Sequence, residues 1–311
     1  MSTVLHQVPT HASPSDSQLA MAYSVCRSIT QTRAKNFYYA FLVLPRHKRQ
    51  ALCAVYAFMR KCDDLADDVS LPQHARRKKL GEWVDAFHHA LSGKPTDDPI
   101  LLALTDAQQR FNIQIGWLDQ LAYGTEMDVM PSEAATDASG LTVSYRTFED
   151  LRVYCYRVAS VVGLVCIRIF GYRDPAAESL AERCGLAFQL TNIIRDVKED
   201  AAVGRIYLPQ EDLARFGIST SEFASATDPT RFRPLLAMEA KRAREYYRAG
   251  EELIQYIDED SRPALWVLLT IYRRLLERIA SRDFDVFHGK VSLSTREKVA
   301  ILGKGFLKRL T

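Results

Sequence analysis

A row of oxygen-bearing side chains rises from an apolar helix near the middle of the chain, in the motif Gln-Leu-Thr-Asn-Ile-Ile-Arg-Asp-Val-Lys-Glu-Asp. At 3.6 residues per turn, Asn192, Asp196 and Asp200 share one helix face, and Arg195 and Glu199 lie beside them. Burying such a row costs free energy unless a positive charge neutralises it, and Mg²⁺ prefers oxygen ligands. The spacing therefore predicts a helix whose polar face holds divalent cations.

A second acidic row follows another mostly apolar run, which begins at Leu52. Asp63 and Asp64 lie one helical turn before Asp67 and Asp68. Like charges four residues apart repel each other and weaken a helix unless a cation bridges them. Either row alone is also compatible with a solvated helix face. Two rows facing each other across a cavity predict a cluster of metal ions that holds a diphosphate.

Arginines accompany both rows. Arg60 lies three residues before the first row, and Arg195 lies within the second. Guanidinium groups bind phosphate oxygens bidentately, and a diphosphate needs more positive charge than metal ions already held by carboxylates supply. Arg205 and Tyr207 follow the second row and are further candidates for this diphosphate clamp.

Composition favours one large domain built from helices. The chain has 311 residues, of which 47% are hydrophobic, with 14 glycines and 12 prolines. Because long amphipathic runs dominate, we predict an all-α catalytic domain over residues 17–311, behind a disordered tail over residues 1–16. A break rich in serine, alanine and glycine at residues 131–141 is predicted to be a mobile flap.

Helix-start signals mark several boundaries. Ser17 is the expected N-cap of the first helix. The pairs Thr147 with Asp150 and Ser294 with Glu297 have the spacing of capping boxes, so each is expected to begin a helix.

The mild positive charge restricts the partners. A formal charge of +3 is too weak to indicate nucleic acid, but it suits an anionic substrate or a loose contact with an anionic membrane surface. The six cysteines show no paired spacing and indicate reduced core residues. No signal peptide is evident, and the most apolar run, residues 158–167, is too short to span a bilayer. We expect a cytoplasmic protein, with peripheral contact at the inner face of the membrane as an option.

Aromatic side chains offer a wall for an apolar cavity. Each alone is compatible with an ordinary core aromatic, but together they suit a cavity that holds a long apolar chain and stabilises a carbocation through π faces. Gly163, inside an apolar helix, indicates either close helix packing or room for a long substrate. The aromatic candidates are Phe37, Phe41, Tyr56, Tyr154 and Tyr156.

Four motifs, in order, resemble the squalene/phytoene synthase family of head-to-head prenyltransferases. The likeness covers roughly residues 20–300. An early aromatic segment begins at Phe37, a first aspartate motif runs from Tyr56 to Asp67, and a tyrosine-bearing central helix runs from Tyr154 to Gly163. The motif that begins at Gln189, continued by Gly-Arg-Ile-Tyr-Leu-Pro, resembles the second aspartate motif of the family.

The resemblance implies an all-α isoprenoid-synthase fold, a single-domain helical bundle around a central cavity, with Mg²⁺ (Mn²⁺ as an option) between the aspartate motifs. Metal or diphosphate roles carry over to Asp63, Asp64, Asp67, Asn192, Asp196, Glu199 and Asp200. The resemblance also implies diphosphate contacts for Arg60, Arg195, Tyr56 and Tyr272, and a place at the reacting centre for Gln189 and Tyr154. Val158 and Gly163, on the tyrosine-bearing helix, are further candidates for substrate binding. Two positions depart from the family pattern, Ala34-Lys35-Asn36 before the aromatic segment and Lys290 where an arginine is usual.

The expected reaction joins two farnesyl diphosphates into presqualene diphosphate, with squalene as a further product. The alternative is a phytoene synthase acting on geranylgeranyl diphosphate. A terpene cyclase acting on one prenyl diphosphate and a non-catalytic relative that serves in assembly or lipid binding are further alternatives. The use of NADPH is left open, and the protein is expected to be a monomer or a homodimer.

Overall fold

The computed structural model describes residues 14–34, 37–68, 70–129, 141–225 and 228–310. Most of these residues are helical, which confirms the all-α class. The predicted flap, apart from Leu141, and most of the predicted tail lie outside the described residues, as do Lys35 and Asn36. The α-helices are α1 (Asp16–Arg33), α2 (Phe37–Phe41), α3 (Arg46–Ala66), α4 (Gln73–Leu91), α5 (Pro99–Phe111), α6 (Ile115–Val129), α7 (Phe148–Cys155), α8 (Val161–Phe170), α9 (Ala176–Ala202), α10 (Gln210–Arg215), α11 (Thr220–Ser225), α12 (Arg233–Leu253), α13 (Arg262–Ser281) and α14 (Thr295–Leu310).

Side-chain caps fix the helix starts. The capping box at Thr147 is confirmed, because Thr147 accepts from the backbone of Asp150 and Asp150 accepts in return. The box at Ser294 is confirmed in the same way. The prediction for α1 is wrong by two residues. Ser15 is the N-cap, because its hydroxyl and the Gln18 side chain bond each other's backbone amides.

Two short parallel strands, β1 (Thr142–Val143) and β2 (Arg205–Ile206), were not expected from the sequence. Thr142 pairs with Arg205 and Val143 with Ile206. The pairing joins the segment that precedes α7 to the segment that follows α9. It therefore anchors the segment that follows the second acidic row.

A π-helical turn, Tyr156–Ser160, joins α7 and α8 into one helix of 23 residues, Phe148–Phe170. By length and composition this helix could cross a membrane, although the apolar run of residues 158–167 alone is too short to do so. Half of its apolar window is buried in the protein, and several of its residues line a cavity. We therefore assign it as a core helix.

Two glycines allow this helix to pack closely on α9. A Cβ on Gly163 would lie 2.8 Å from the backbone oxygen of Ala181, and one on Gly185 would lie 2.5 Å from that of Ala159. The Ser160 hydroxyl also donates to the backbone oxygen of Glu182, at 2.7 Å. Close helix packing is therefore the reason for Gly163, although its backbone also borders the cavity.

The core surrounds α9, which packs against α8, α12, α13 and the π turn. Its apolar side is buried, whereas Asn192 and Asp196 on its other side remain partly exposed. All six cysteines are free thiols, as predicted, and burial raises the pKa of both Cys166 and Cys184 to about 12. They are therefore protonated core residues.

A buried ionic cluster ties α10 to α12. Arg242 bonds the carboxylates of Asp212 and Glu239, and its guanidinium lies 4.4 Å from the ring centroid of Phe148. Glu239 is fully buried, and one of its oxygens has no hydrogen-bond partner. Burial, opposed by the charge of Arg242, raises the pKa of Glu239 from 4.5 to about 7.

Glu239→Gln should remove a pH-dependent loss of stability. The folded-state pKa of Glu239 lies above its unfolded value, so the folded state keeps a proton that the unfolded state loses between pH 4.5 and about 7. The free energy of unfolding of the wild type should therefore fall across this window, by roughly 2–3 kcal/mol relative to the variant. Urea unfolding at pH 5 and pH 8 measures this difference, and parallel pH profiles for the two proteins would refute it.

Candidate active site

An apolar cavity of about 970 Å³, including its opening, lies between α3, α8, α9 and α13. Eight of the predicted site residues border it. At its deep end lie Ala181, Leu253 and Leu265, and at its mouth lies Asn192. Since Ala181 and Asn192 are eleven residues apart on α9, the cavity runs along roughly 16 Å of that helix. The predicted residues that line it are Phe37, Phe41, Tyr56, Val158, Gly163, Gln189, Asn192 and Tyr272.

The mouth of this cavity opens into a second, polar chamber. Four residues, Phe37, Tyr56, Asn192 and Tyr272, border both spaces. Five basic side chains and Asp63 line the chamber. A continuous space that is apolar at one end and basic at the other fits a molecule with a long hydrocarbon tail and an anionic head. The five basic residues are Arg33, Arg60, Arg195, Lys290 and Lys298.

The carboxylates of the first acidic row lie in different surroundings. Asp63 lines the chamber and accepts from the Thr125 hydroxyl at 3.3 Å. Asp64 instead accepts from Arg60 and from Arg33, at 2.9 and 3.0 Å, and borders a neighbouring groove. Asp67 follows the last residue of α3 and is exposed. Of this row, the structure places only Asp63 in the chamber.

The second row meets basic side chains at the chamber wall. Arg195 binds Asp196, and the Lys290 ammonium lies 3.2 Å from Asp196 and 3.5 Å from Glu199. Burial raises the pKa of Asp196, but the hydrogen bonds and charges of Arg195 and Lys290 outweigh burial and hold it below its usual value. Asp196 is therefore ionised at neutral pH. The Lys290 side chain therefore lines the chamber and also contacts the carboxylates of Asp196 and Glu199.

Three predicted residues lie elsewhere. Asp200, Arg205 and Tyr207 line a separate small crevice beside α9 rather than either of the two large cavities. The pairing of β1 with β2 positions Arg205 there. In this structure Arg205 and Tyr207 therefore do not extend the basic chamber as predicted.

Tyr154 also differs from the prediction that it sits at the reacting centre. It is buried, and its ring centroid lies 5.3 Å from that of Tyr145 and 5.2 Å from that of Tyr207. Tyr154 lies in α7, one helical turn before Val158, which does line the apolar cavity. It is not among the side chains that line the two large cavities.

Two tyrosines, Tyr56 and Tyr272, border both the apolar cavity and the basic chamber. Burial raises the pKa of Tyr272, against the opposing charge of Arg195, and burial likewise raises the pKa of Tyr56. Both phenols are therefore neutral. The Tyr272 ring stacks on Phe188, with centroids 4.5 Å apart, and lies 5.9 Å from Phe37. The three rings therefore form an aromatic cluster among the residues that line the apolar cavity.

Divalent cations fit the polar face of α9. The buried oxygens Asn192 Oδ1 and Glu199 Oε2 have no hydrogen-bond partner, and Asp196 lies between them on the helix. Amide and carboxylate oxygens form the donor set that suits Mg²⁺. Within the described ranges, no three acidic, histidine or cysteine side chains are already gathered as a metal site. The carboxylates of Asp63, Asp196 and Glu199 instead form ion pairs with arginine and lysine side chains.

Sequence reasoning missed several residues of the site. Phe188 lies one turn before Asn192 on the same face as the acidic row, a spacing that could have identified it. Arg33 ends α1 and Lys298 lies in the first turn of α14, and both reach the chamber only through the tertiary fold. No local pattern marks Gly185, whose role depends on the neighbouring helix.

Comparison with known proteins decides the family. A sequence model described as squalene/phytoene synthase matches residues 30–297. The chain belongs to the squalene/phytoene synthase family. As a member it is a transferase of the prenyltransferase type, and the resemblance seen in the motifs is confirmed.

Relatives of this family match nearly the whole chain. It is 35% identical to a 15-cis-phytoene synthase of Synechococcus elongatus, over 98% of this chain and 99% of the relative. It is 37% identical to a phytoene synthase of Mycobacterium tuberculosis, over 94% and 93% of the two chains. Among solved structures, a dehydrosqualene synthase in complex with ligand has a TM-score of 0.81 at 32% identity, covering 93% of this chain and 96% of that one. A squalene synthase from Alicyclobacillus acidocaldarius has a TM-score of 0.76 at 28% identity, covering 87% and 97%.

Proposed function

We propose that this protein is a phytoene synthase, which joins two geranylgeranyl diphosphates head to head. The observation that carries the choice of substrate class is the continuity of the apolar cavity with the basic chamber through Tyr56, Asn192 and Tyr272. The C20 chain length is supported by the near-full-length relatives that are named phytoene synthases. These relatives favour the alternative over the farnesyl diphosphate reaction that was our first expectation.

The basic chamber would bind the diphosphates. Arg60, Arg195 and Lys290 all line it, and each is held at present by a carboxylate. A diphosphate entering the chamber would compete with these carboxylates for the cations. Guanidinium groups would then bind phosphate oxygens bidentately, and Lys290 would act as a point charge.

The carboxylates released by that exchange would hold Mg²⁺. Asp63 on one side and Asn192, Asp196 and Glu199 on the other carry the oxygens that fit it. When bound, Mg²⁺ supplies Lewis acidity toward the departing diphosphate. The arginines and Lys290 supply the remaining positive charge as the carbon–oxygen bond breaks.

The apolar cavity would protect the allylic cation that forms when the first diphosphate leaves. Phe37, Phe188 and Tyr272 place aromatic rings near the mouth, where that cation would arise. The C2–C3 double bond of the second substrate then attacks the cation, and loss of one proton gives a cyclopropyl diphosphate. The neutral phenols Tyr56 and Tyr272 and the Gln189 amide face this region and would orient the reacting carbons.

The second half of the reaction would release the second diphosphate. The cyclopropyl diphosphate ionises, the carbon skeleton rearranges, and loss of a second proton gives a C40 hydrocarbon. Two substrates thus give one hydrocarbon, two diphosphates and two protons. This route consumes no hydride, so product formation should not require NADPH.

A competition assay tests the chain length. Purified protein with Mg²⁺ would receive equimolar geranylgeranyl and farnesyl diphosphate, without NADPH, and the extracted lipids would be analysed by mass spectrometry. We expect C40 hydrocarbon to exceed C30 products by roughly tenfold or more, because one missing isoprene unit forfeits several buried methylene contacts. Predominance of a C30 product would replace the proposal with a presqualene or dehydrosqualene synthase.

A further inference from the structure

A buried lysine lies beside the deep end of the apolar cavity. Lys48 is 7% exposed and lies one helical turn before Leu52, which lines the cavity. Its ammonium group donates to the backbone oxygen of Phe170 at 2.7 Å, to the Asp260 carboxylate at 2.6 Å and to the Ser261 hydroxyl at 3.0 Å. Lys48 and its three partners together form the Lys48 cluster.

The Lys48 cluster joins three walls of the cavity. Phe170 is the last residue of α8 and itself lines the cavity. Ser261 directly precedes α13, whose Leu265 lines the cavity one turn later. The mouth is far from this point, because Tyr56 and Tyr272 lie two and three helical turns farther along α3 and α13. A single ammonium group therefore sets the spacing of α3, α8 and α13 at the deep end.

Main-chain contacts join the same segments. The Asp258 amide donates to the Gly171 oxygen at 2.9 Å, and Tyr172 pairs with Ile257 in an antiparallel bridge. Gly171 has a φ of 84°, and a Cβ there would collide with the Asp258 side chain. The Lys48 ammonium group also lies 3.8 Å from the Asp258 carboxylate. The end of α8 is thus held against the connection between α12 and α13.

A charged side chain at this position offers fixed geometry rather than extra stability. Burying an ammonium group is unfavourable unless oxygens surround it, and apolar side chains often replace buried ion pairs without loss of stability. Each of the three Lys48 donors must meet an oxygen at a set distance, whereas apolar contacts allow helices to slide. The Phe170 oxygen, at the negative end of the α8 dipole, suits a cation. Lys48 is therefore suited to hold the length of the cavity constant.

We propose that Lys48 is a positioning residue for substrate chain length, which holds the deep end of the cavity closed against a prenyl chain one isoprene unit too long. This role rests on the proposed function, which supplies C20 as the preferred chain. A longer tail would have to push Phe170 or Leu265 outward and so separate the Lys48 ammonium group from its oxygens. A shorter tail would end before the cluster.

Binding of unreactive substrate analogues tests this role. S-thiolodiphosphates of the farnesyl, geranylgeranyl and geranylfarnesyl chains (C15, C20 and C25) would be titrated calorimetrically into wild type and Lys48→Met with Mg²⁺. Methionine has nearly the length of lysine but no donor. In the variant, the ratio of the Kd for C25 to the Kd for C20 should fall by roughly tenfold or more, because the three helices are no longer held at one spacing. The Kd for C15 should change by less than about twofold.

Two further variants separate positioning from stability. Asp260→Asn weakens the cluster from its partly exposed side, so it should lower the same ratio by a smaller factor, and it carries the test if Lys48→Met does not fold. Thr30→Val is the matched control. Its buried hydroxyl donates to the backbone oxygens of Cys26 and Cys53, but Thr30 lines neither large cavity. This variant should lose stability and keep the wild-type ratio.

Equal ratios in wild type, Lys48→Met and Asp260→Asn would overturn the role of Lys48. So would the same fall in Thr30→Val, because any destabilised variant would then accept the longer chain. Failure of the proposed function gives a different result, since a wild type that binds C15 most tightly contradicts the choice of C20. In that case the role of Lys48 predicts that Lys48→Met lowers the ratio of the Kd for C20 to the Kd for C15.

Discussion

Replacing Asp196 by asparagine should reduce kcat/KM by roughly 10³-fold or more. The change removes the carboxylate that contacts two of the basic side chains of the chamber. Asp196 binds Arg195 and Lys290, and it lies between the unpartnered oxygens of Asn192 and Glu199. Asparagine keeps the shape but loses the charge, so both cations and any bound Mg²⁺ lose their shared anion. Steady-state kinetics with geranylgeranyl diphosphate over a range of Mg²⁺ concentrations measures the effect.

The matched control is Asp68→Asn. Asp68 is the last residue of the first acidic row, but its carboxylate is engaged with Ser70 and it lines neither large cavity. This variant should keep wild-type activity within about twofold. Comparable activity of D196N and D68N, with both folded by circular dichroism, would contradict the assignment of Asp196 to the diphosphate site.

Gly185→Ala should destabilise the protein by about 2–3 kcal/mol and impair catalysis. A Cβ at this position would lie 2.5 Å from the backbone oxygen of Ala159 and 2.7 Å from the Cα of Ser160. Neither neighbour is the flexible end of a side chain, so the π turn must move away from α9. Because that turn contributes Val158 and Ala159 to the cavity wall, activity should fall as well.

Gly81→Ala is the control for this prediction. Gly81 also lies inside a helix, α4, but a Cβ there meets nothing within 4 Å. The substitution should therefore stabilise the protein by up to about 1 kcal/mol through helix propensity alone. Urea unfolding of both variants gives the comparison. Equal stability changes of the same sign would show that the contact between the π turn and α9 is not tight.

The sequence predicts those parts of the molecule that depend on local pattern. The periodicity of Asn192, Asp196 and Asp200 on α9 follows from 3.6 residues per turn, and the box at Thr147 follows from hydrogen bonding within four residues. The motifs that resemble the squalene/phytoene synthase family also predict the all-α fold. Phe37 and Gln189 were likewise placed at a cavity that the structure shows.

The remaining features depend on contacts between distant segments. Asp64 pairs with Arg33, which lies on another helix, and Arg205 is held in its crevice by the pairing of its strand with Thr142. The π turn inserts an extra residue into a helix whose sequence reads as continuous, and it depends on Gly185 for space. The spacing of residues along the sequence does not show which distant side chains will pair. It therefore could not distinguish Asp63, which lines the chamber, from Asp64.

The most direct test of head-to-head condensation is the stoichiometry of a single reaction. Purified protein, Mg²⁺ and geranylgeranyl diphosphate would be incubated without NADPH, with released diphosphate and extracted hydrocarbon quantified in the same sample. Head-to-head condensation carried to the end predicts one C40 hydrocarbon for every two diphosphates. One diphosphate released for each C20 hydrocarbon would instead show a cyclase acting on a single substrate, and would contradict head-to-head condensation.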